Sequence, residues 1–159
     1  MRKTEKFNEL LLQYEALPHS SAEKTSLFFK MMGKARSFSD WASVYQYAGN
    51  SIRKDAQREM ESRVLKGNTK EDIQMNIHEL FLICDRADMD KILEGYLKKY
   101  KKKEDYLFAI VEADWEYSDL VPGLMQELEE KFNVGSVSKE LGSYRKKIRE
   151  LTKTSTFNP

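Results

Sequence analysis

Apolar residues recur at steps of three and four along nine stretches of the chain, the spacing that gathers them on one face of an α-helix. Residues 5–16 carry Phe7, Leu10, Leu11 and Tyr14 on one stripe, after which Leu17-Pro18-His19-Ser20-Ser21 breaks the helix. A return arm from about 22 to 35 carries Leu27, Phe28, Met31, Met32 and Ala35. The plan then repeats with Trp41, Val44, Tyr45 and Ala48, a turn at Gly49-Asn50-Ser51, and Ile52, Ala56, Met60 and Val64. A third pair uses Ile73, Ile77, Leu80, Phe81 and Cys84, then Ile92, Leu93, Tyr96 and Tyr100 beyond Asp88. The fourth uses Leu107, Phe108, Val111 and Trp115, then Leu120, Leu124, Met125, Leu128 and Phe132. Pro122 is compatible with that last arm because it falls in the first turn. The pattern predicts four helical hairpins in series.

The final run differs in kind. Val137, Leu141, Tyr144, Ile148 and Leu151 follow at steps of 4, 3, 4 and 3, a narrow heptad seam. A linear stack leaves one apolar face open at its end, and a helix with a polar outer side closes it. The seam is therefore predicted to cap the stack, with pairing to a second copy of the chain as the alternative. Residues 1–151 are expected to form one helical domain and residues 152–159 a flexible tail.

The breaks recur as well. Gly33 and Gly67 lie 34 residues apart, and Gly135 follows after two more steps of 34, with Lys101 in the register between. A glycine just past a helix end can take the left-handed conformation, so each is predicted to be a stop. Ser21, Ser51, Asp88 and Asp119 precede runs of helix formers and are predicted to cap them. Thr69 and Asp72 have the spacing of a capping box, with Asp in place of Glu. A period of this length points to a solenoid.

Composition agrees with an all-α fold of stacked antiparallel hairpins. Seven glycines and three prolines are too few for a β-protein that turns every 8–12 residues. The one cysteine, Cys84, sits in the apolar run Leu80-Phe81-Leu82-Ile83, which predicts a buried thiol and no internal disulfide. Met1-Arg2-Lys3-Thr4-Glu5-Lys6 turns charged before any apolar stretch of signal length, and no window suits a bilayer span. A soluble cytoplasmic protein without membrane contact is expected.

Trp41, Tyr45 and Ala48 match part of the first arm of the tetratricopeptide pattern, and helix-turn-helix units of about 34 residues resemble the tetratricopeptide and HEAT classes of repeat over residues 5–135. The resemblance implies a protein-binding scaffold and carries no functional residue across.

Charge adds the candidate sites. From Glu104 to Glu130 there are nine acidic residues and no Lys or Arg. Asp114, Trp115, Glu116 and Tyr117 place carboxylates beside aromatic rings within it, and with Tyr47 they are the predicted partner-binding residues for a protein or a basic peptide. Lys98, Lys99, Lys101, Lys102 and Lys103 precede the block, and Arg145, Lys146 and Arg149 follow it. These define the alternative, a nucleic-acid binder using phosphate contacts with Tyr100 and Tyr144 stacking on bases. Mutual compensation of the basic and acidic arms is the plainer expectation, and a net charge of +1 is low for a nucleic-acid module. A small inhibitor or immunity-type protein is a further alternative.

Catalytic chemistry finds little support. Glu112, Glu116 and Asp119 lack the ordered spacing of a calcium loop, so no metal site is predicted. His78 and Cys84 are six residues apart on one helix, about 600° of rotation, and point away from each other. No phosphate loop, zinc spacing or nucleophile elbow occurs, and neither an enzyme nor a cofactor is expected.

Overall fold

The computed structural model describes residues 3–19, 21–84, 87–114 and 119–156, with side chains through residue 151. Among the described residues are nine α-helices and no strand: α1 (Glu5–Ala16), α2 (Ala22–Lys34), α3 (Phe38–Tyr47), α4 (Asn50–Arg63), α5 (Lys70–Ile83), α6 (Met89–Lys99), α7 (Lys103–Asp114), α8 (Leu120–Phe132) and α9 (Val137–Thr156). Each predicted stripe has become one helix, and the fold among the described residues is all-α. The chain divides into two compact units, Met1–Asp88 and Met89–Pro159.

In the first unit α1 packs on α2 and α3 on α4, while α3 also meets α2 and α5. Contacts thus run from one hairpin to the next. Phe7, Leu11 and Tyr14 of α1 meet Phe28 and Met31 of α2, with Val44 and Ala56 closing the cluster. Met60 and Val64 at the end of α4 and Ile73, Ile77 and Leu80 along α5 are buried as well, and a side chain joins the two segments. Asn76 supports that joint by donating its side-chain amide to the Val64 carbonyl at 3.3 Å.

In the second unit α7 packs against α6, α8 and α9. The stripe expected on α7 is accordingly too narrow a description, since Asp105 to Ile110 are all buried, as are Glu112 and Ala113. Three neighbouring helices leave that helix little free face. α9 lies on α7 and α8, burying Val137 and Leu141, whereas Ile148 is 41% and Leu151 59% exposed. Only the first half of its seam covers the hairpin.

Ser21, Thr69, Asp88 and Asp119 stand immediately before helices as expected, and the odd-numbered helices share a regularity of their own. Thr4, Ser37, Thr69, Lys102 and Ser136 immediately precede the odd-numbered helices, at intervals of 33, 32, 33 and 34 residues. The third residue of α3, α5 and α7 is an aspartate: Asp40, Asp72 and Asp105. Ser37 and Asp40 form a reciprocal capping box, and Thr69 accepts the Asp72 amide at 3.1 Å as predicted. Ser51, expected as a cap, lies inside α4 behind Gly49, and Ser21 and Asp119 occupy cap positions without a side-chain cap hydrogen bond.

Glycine conformation also differs from expectation. Gly33 is helical within α2, and no glycine among the described residues has positive φ. The left-handed stop belongs to Asn133 after α8, at φ 50°, one of the few residue types that tolerate it. Gly67 is needed for space instead: a Cβ there would lie 2.8 Å from Ile73 Cγ1.

Candidate functional site

Tyr47 ends α3 and is 37% exposed. Its ring meets Tyr14 edge-on at 5.1 Å, and its hydroxyl donates to Glu15 Oε1 at 3.2 Å. Burial, then Glu15, raises the Tyr47 pKa and keeps the hydroxyl protonated. Tyr14 continues the aromatic series onto Phe28 at 5.9 Å and carries the Lys24 ammonium 4.5 Å from its centroid. Lys24 is held there by donating to the Leu17 carbonyl at 3.2 Å. The first unit therefore displays an anchored aromatic edge with a carboxylate beside it, and such a surface can receive a cationic or aromatic side chain.

Asp114 ends α7 in the second unit and is exposed. Its carboxylate accepts from Arg145 Nη2 of α9 at 3.0 Å, and Lys103 Nζ pairs with Glu140 Oε2 at 3.3 Å between the same two helices. Asp114 of the predicted acidic site and Arg145 of the predicted basic set thus compensate one another, and Lys103 of the basic set is compensated by Glu140. Exposed pairs of this kind contribute about 0–1 kcal/mol each. Trp115, Glu116 and Tyr117 lie outside the described residues.

Tyr144, half-buried on α9, has its pKa pushed up to about 12, first by burial and then by Glu112, Glu104 and Asp105 of α7. A tyrosine so placed is part of the α7–α9 packing, and its hydroxyl stays protonated in the physiological range. Lys98, Lys99, Lys101 and Lys102 cluster in sequence around the α6–α7 junction, all exposed and without an ion pair among the described residues. Lys99 reaches over the Tyr100 ring at 5.4 Å. Lys146 and Arg149 are exposed on α9.

The remaining candidate chemistry disperses. Glu112 is buried and Asp119 exposed, and no group of three His, Cys, Asp or Glu among the described residues is placed to hold a metal ion. His78 is exposed, whereas Cys84 is buried at the end of α5. No described helix is long and apolar enough to cross a membrane.

Two features escaped the sequence pattern. Asp40 is fully buried and accepts from the Thr4 amide at 3.0 Å, the Thr4 hydroxyl at 3.0 Å, the Arg36 amide at 2.8 Å and the Ser37 amide at 3.0 Å. The Ser-x-x-Asp spacing before Trp41 was its visible signal. Arg63 reaches back 27 residues to donate to the Arg36 carbonyl at 2.8 Å, a contact with no local signature. Comparison with known proteins adds no relative: no family model, no curated protein and no solved structure matches the chain.

Proposed function

We propose that the chain is a non-catalytic binding scaffold of the helical-repeat kind, holding another protein or peptide as an adaptor or regulator. The observation that carries this reading is the recurrence of one helix start every 32–34 residues, three of them with aspartate at the third position, together with hairpin-to-hairpin packing in the first unit. Units of this construction bury one face against their neighbours and leave another for recognition. Tyr47 beside Glu15 supplies the favoured contact for a basic peptide, because an arginine can pair with the carboxylate and stack on the ring. An inhibitor that occupies a single enzyme would use the same surface.

The second reading is nucleic-acid binding, favoured by the exposed Lys98, Lys99, Lys101 and Lys102. Affinity capture from the host extract, read for protein and for nucleic acid, separates the two. One retained protein is expected with the native chain, reduced at least tenfold by Tyr47→Ala, while the helical circular dichroism is unchanged. Recovery of nucleic acid alone favours the lysines, and collapse of the helical signal places Tyr47 in the core and removes it from the site.

A further inference from the structure

An open cavity of about 370 Å³ lies in the first unit, where the link into α3 faces the last turns of α4. Arg36, Arg63 and Lys66 contribute three positive charges to its lining, and Glu59 contributes the one carboxylate. The excess of two positive charges calls for a dianion.

The arginines are held in place with donors to spare. Arg36 Nη1 donates to the carbonyls of Gly33 at 3.1 Å and Ala35 at 2.8 Å, which anchors it at the end of α2. Its Nε and Nη2 have no protein acceptor among the described residues. Arg63 donates through Nε to the Arg36 carbonyl and through Nη1 to the Glu59 carbonyl at 3.2 Å, and it pairs with the Glu59 carboxylate. Its guanidinium also lies 5.8 Å from the Trp41 ring centroid. Arg63 Nη2 and the Lys66 ammonium are likewise without protein acceptors among the described residues. Forked guanidinium donors match the geometry of phosphate oxygens.

A carboxylate would satisfy one of the two excess charges, whereas a phosphomonoester satisfies both. The cavity volume falls within the range of small-ligand sites, large enough for a phosphate with a few attached atoms. We infer that the cavity between the α3 entry and the end of α4 binds a phosphomonoester dianion, carried by a small metabolite or by a phosphorylated side chain. The site uses none of the Tyr47 surface and stands independently of the scaffold reading.

Isothermal titration calorimetry of the full chain at constant ionic strength, balanced with chloride, tests it with three probes: inorganic phosphate, a sugar phosphate and a phosphoserine peptide. Saturable binding at one site is expected for at least one probe. Arg36→Ala with Lys66→Ala should weaken it at least tenfold, and Lys98→Ala with Lys99→Ala should leave it within twofold. Both mutated cavity residues are exposed, and Lys66→Ala alone, expected to weaken binding at least threefold, decides if the double variant loses helical signal. Tighter binding of the sugar phosphate or of the peptide supports the site and names the source of the phosphate. No saturable binding of any probe, or a loss that follows Lys98 and Lys99, overturns the proposal.

Discussion

Asp40 and Asp72 occupy the same third helical position, yet they differ in what surrounds them. Asp40 is fully buried and satisfies three backbone amides and the Thr4 hydroxyl, tying the start of α1 to the start of α3. Removing it leaves four donors unpaired, one buried and three partly buried, so Asp40→Ala is expected to cost about 3–5 kcal/mol. Asp72 is only half-buried, and Asp72→Ala should cost about 1 kcal/mol, the scale of a helix cap. Urea unfolding of both variants checks the contrast, and equal losses would show that Asp40 does no more than cap α3. Tyr144 gives a pH signature. Its pKa of about 12 against the ordinary 10 means that the folded state favours the neutral hydroxyl. That contribution is complete below pH 10 and is lost as pH rises through 12. Tyr144→Phe should therefore lose less stability than the native chain between pH 10 and 12, measured by urea midpoints across that window.

At the scale of elements, Gly33 and Gly67 of the apparent 34-residue period have opposite roles. Gly33 is helical, and a Cβ there would meet nothing within 4 Å, so Gly33→Ala should stabilise by about 0.5–1 kcal/mol. At Gly67 the added methyl would press on Ile73 at 2.8 Å and on its backbone nitrogen at 3.1 Å, and Gly67→Ala should cost about 1–3 kcal/mol. Thermal midpoints moving in opposite directions would confirm the assignment. Stripes such as Phe7, Leu11 and Tyr14 located every helix, because burial of one face imposes its period directly on the residues. Composition of the breaks was a poorer guide: Gly33 and Ser51 are good terminator or cap types, but which of several such residues ends a helix depends on tertiary packing. The all-round burial of α7 was illegible for the same reason, as it comes from α6, α8 and α9 and not from any property of α7 alone. Of the candidate site, Tyr47 was named from its residue type, whereas its link to Glu15 spans 32 residues and leaves no local trace.

For the whole molecule, the decisive quantity is how much of the segregated charge remains available to a partner. The acidic stretch loses Asp105 and Glu112 to the interior and Asp114 to Arg145, while Lys103 is joined to Glu140. At the α6–α7 junction four lysines, Lys98, Lys99, Lys101 and Lys102, are exposed and without an ion pair among the described residues, and Lys146 and Arg149 of α9 are exposed as well. If all four met phosphates of a single strand, log K would fall against log salt with a slope of about −3. Such a shallow dependence corresponds to weak, non-specific association. Fluorescence anisotropy with a labelled single-stranded oligonucleotide should give a Kd above about 0.1 mM near physiological salt. Replacing the four lysines by alanine should abolish the residual binding at low salt. Micromolar affinity at physiological salt, or a slope steeper than about −5, would require cations beyond this cluster and would make nucleic acid, in place of a protein, the partner that this fold serves.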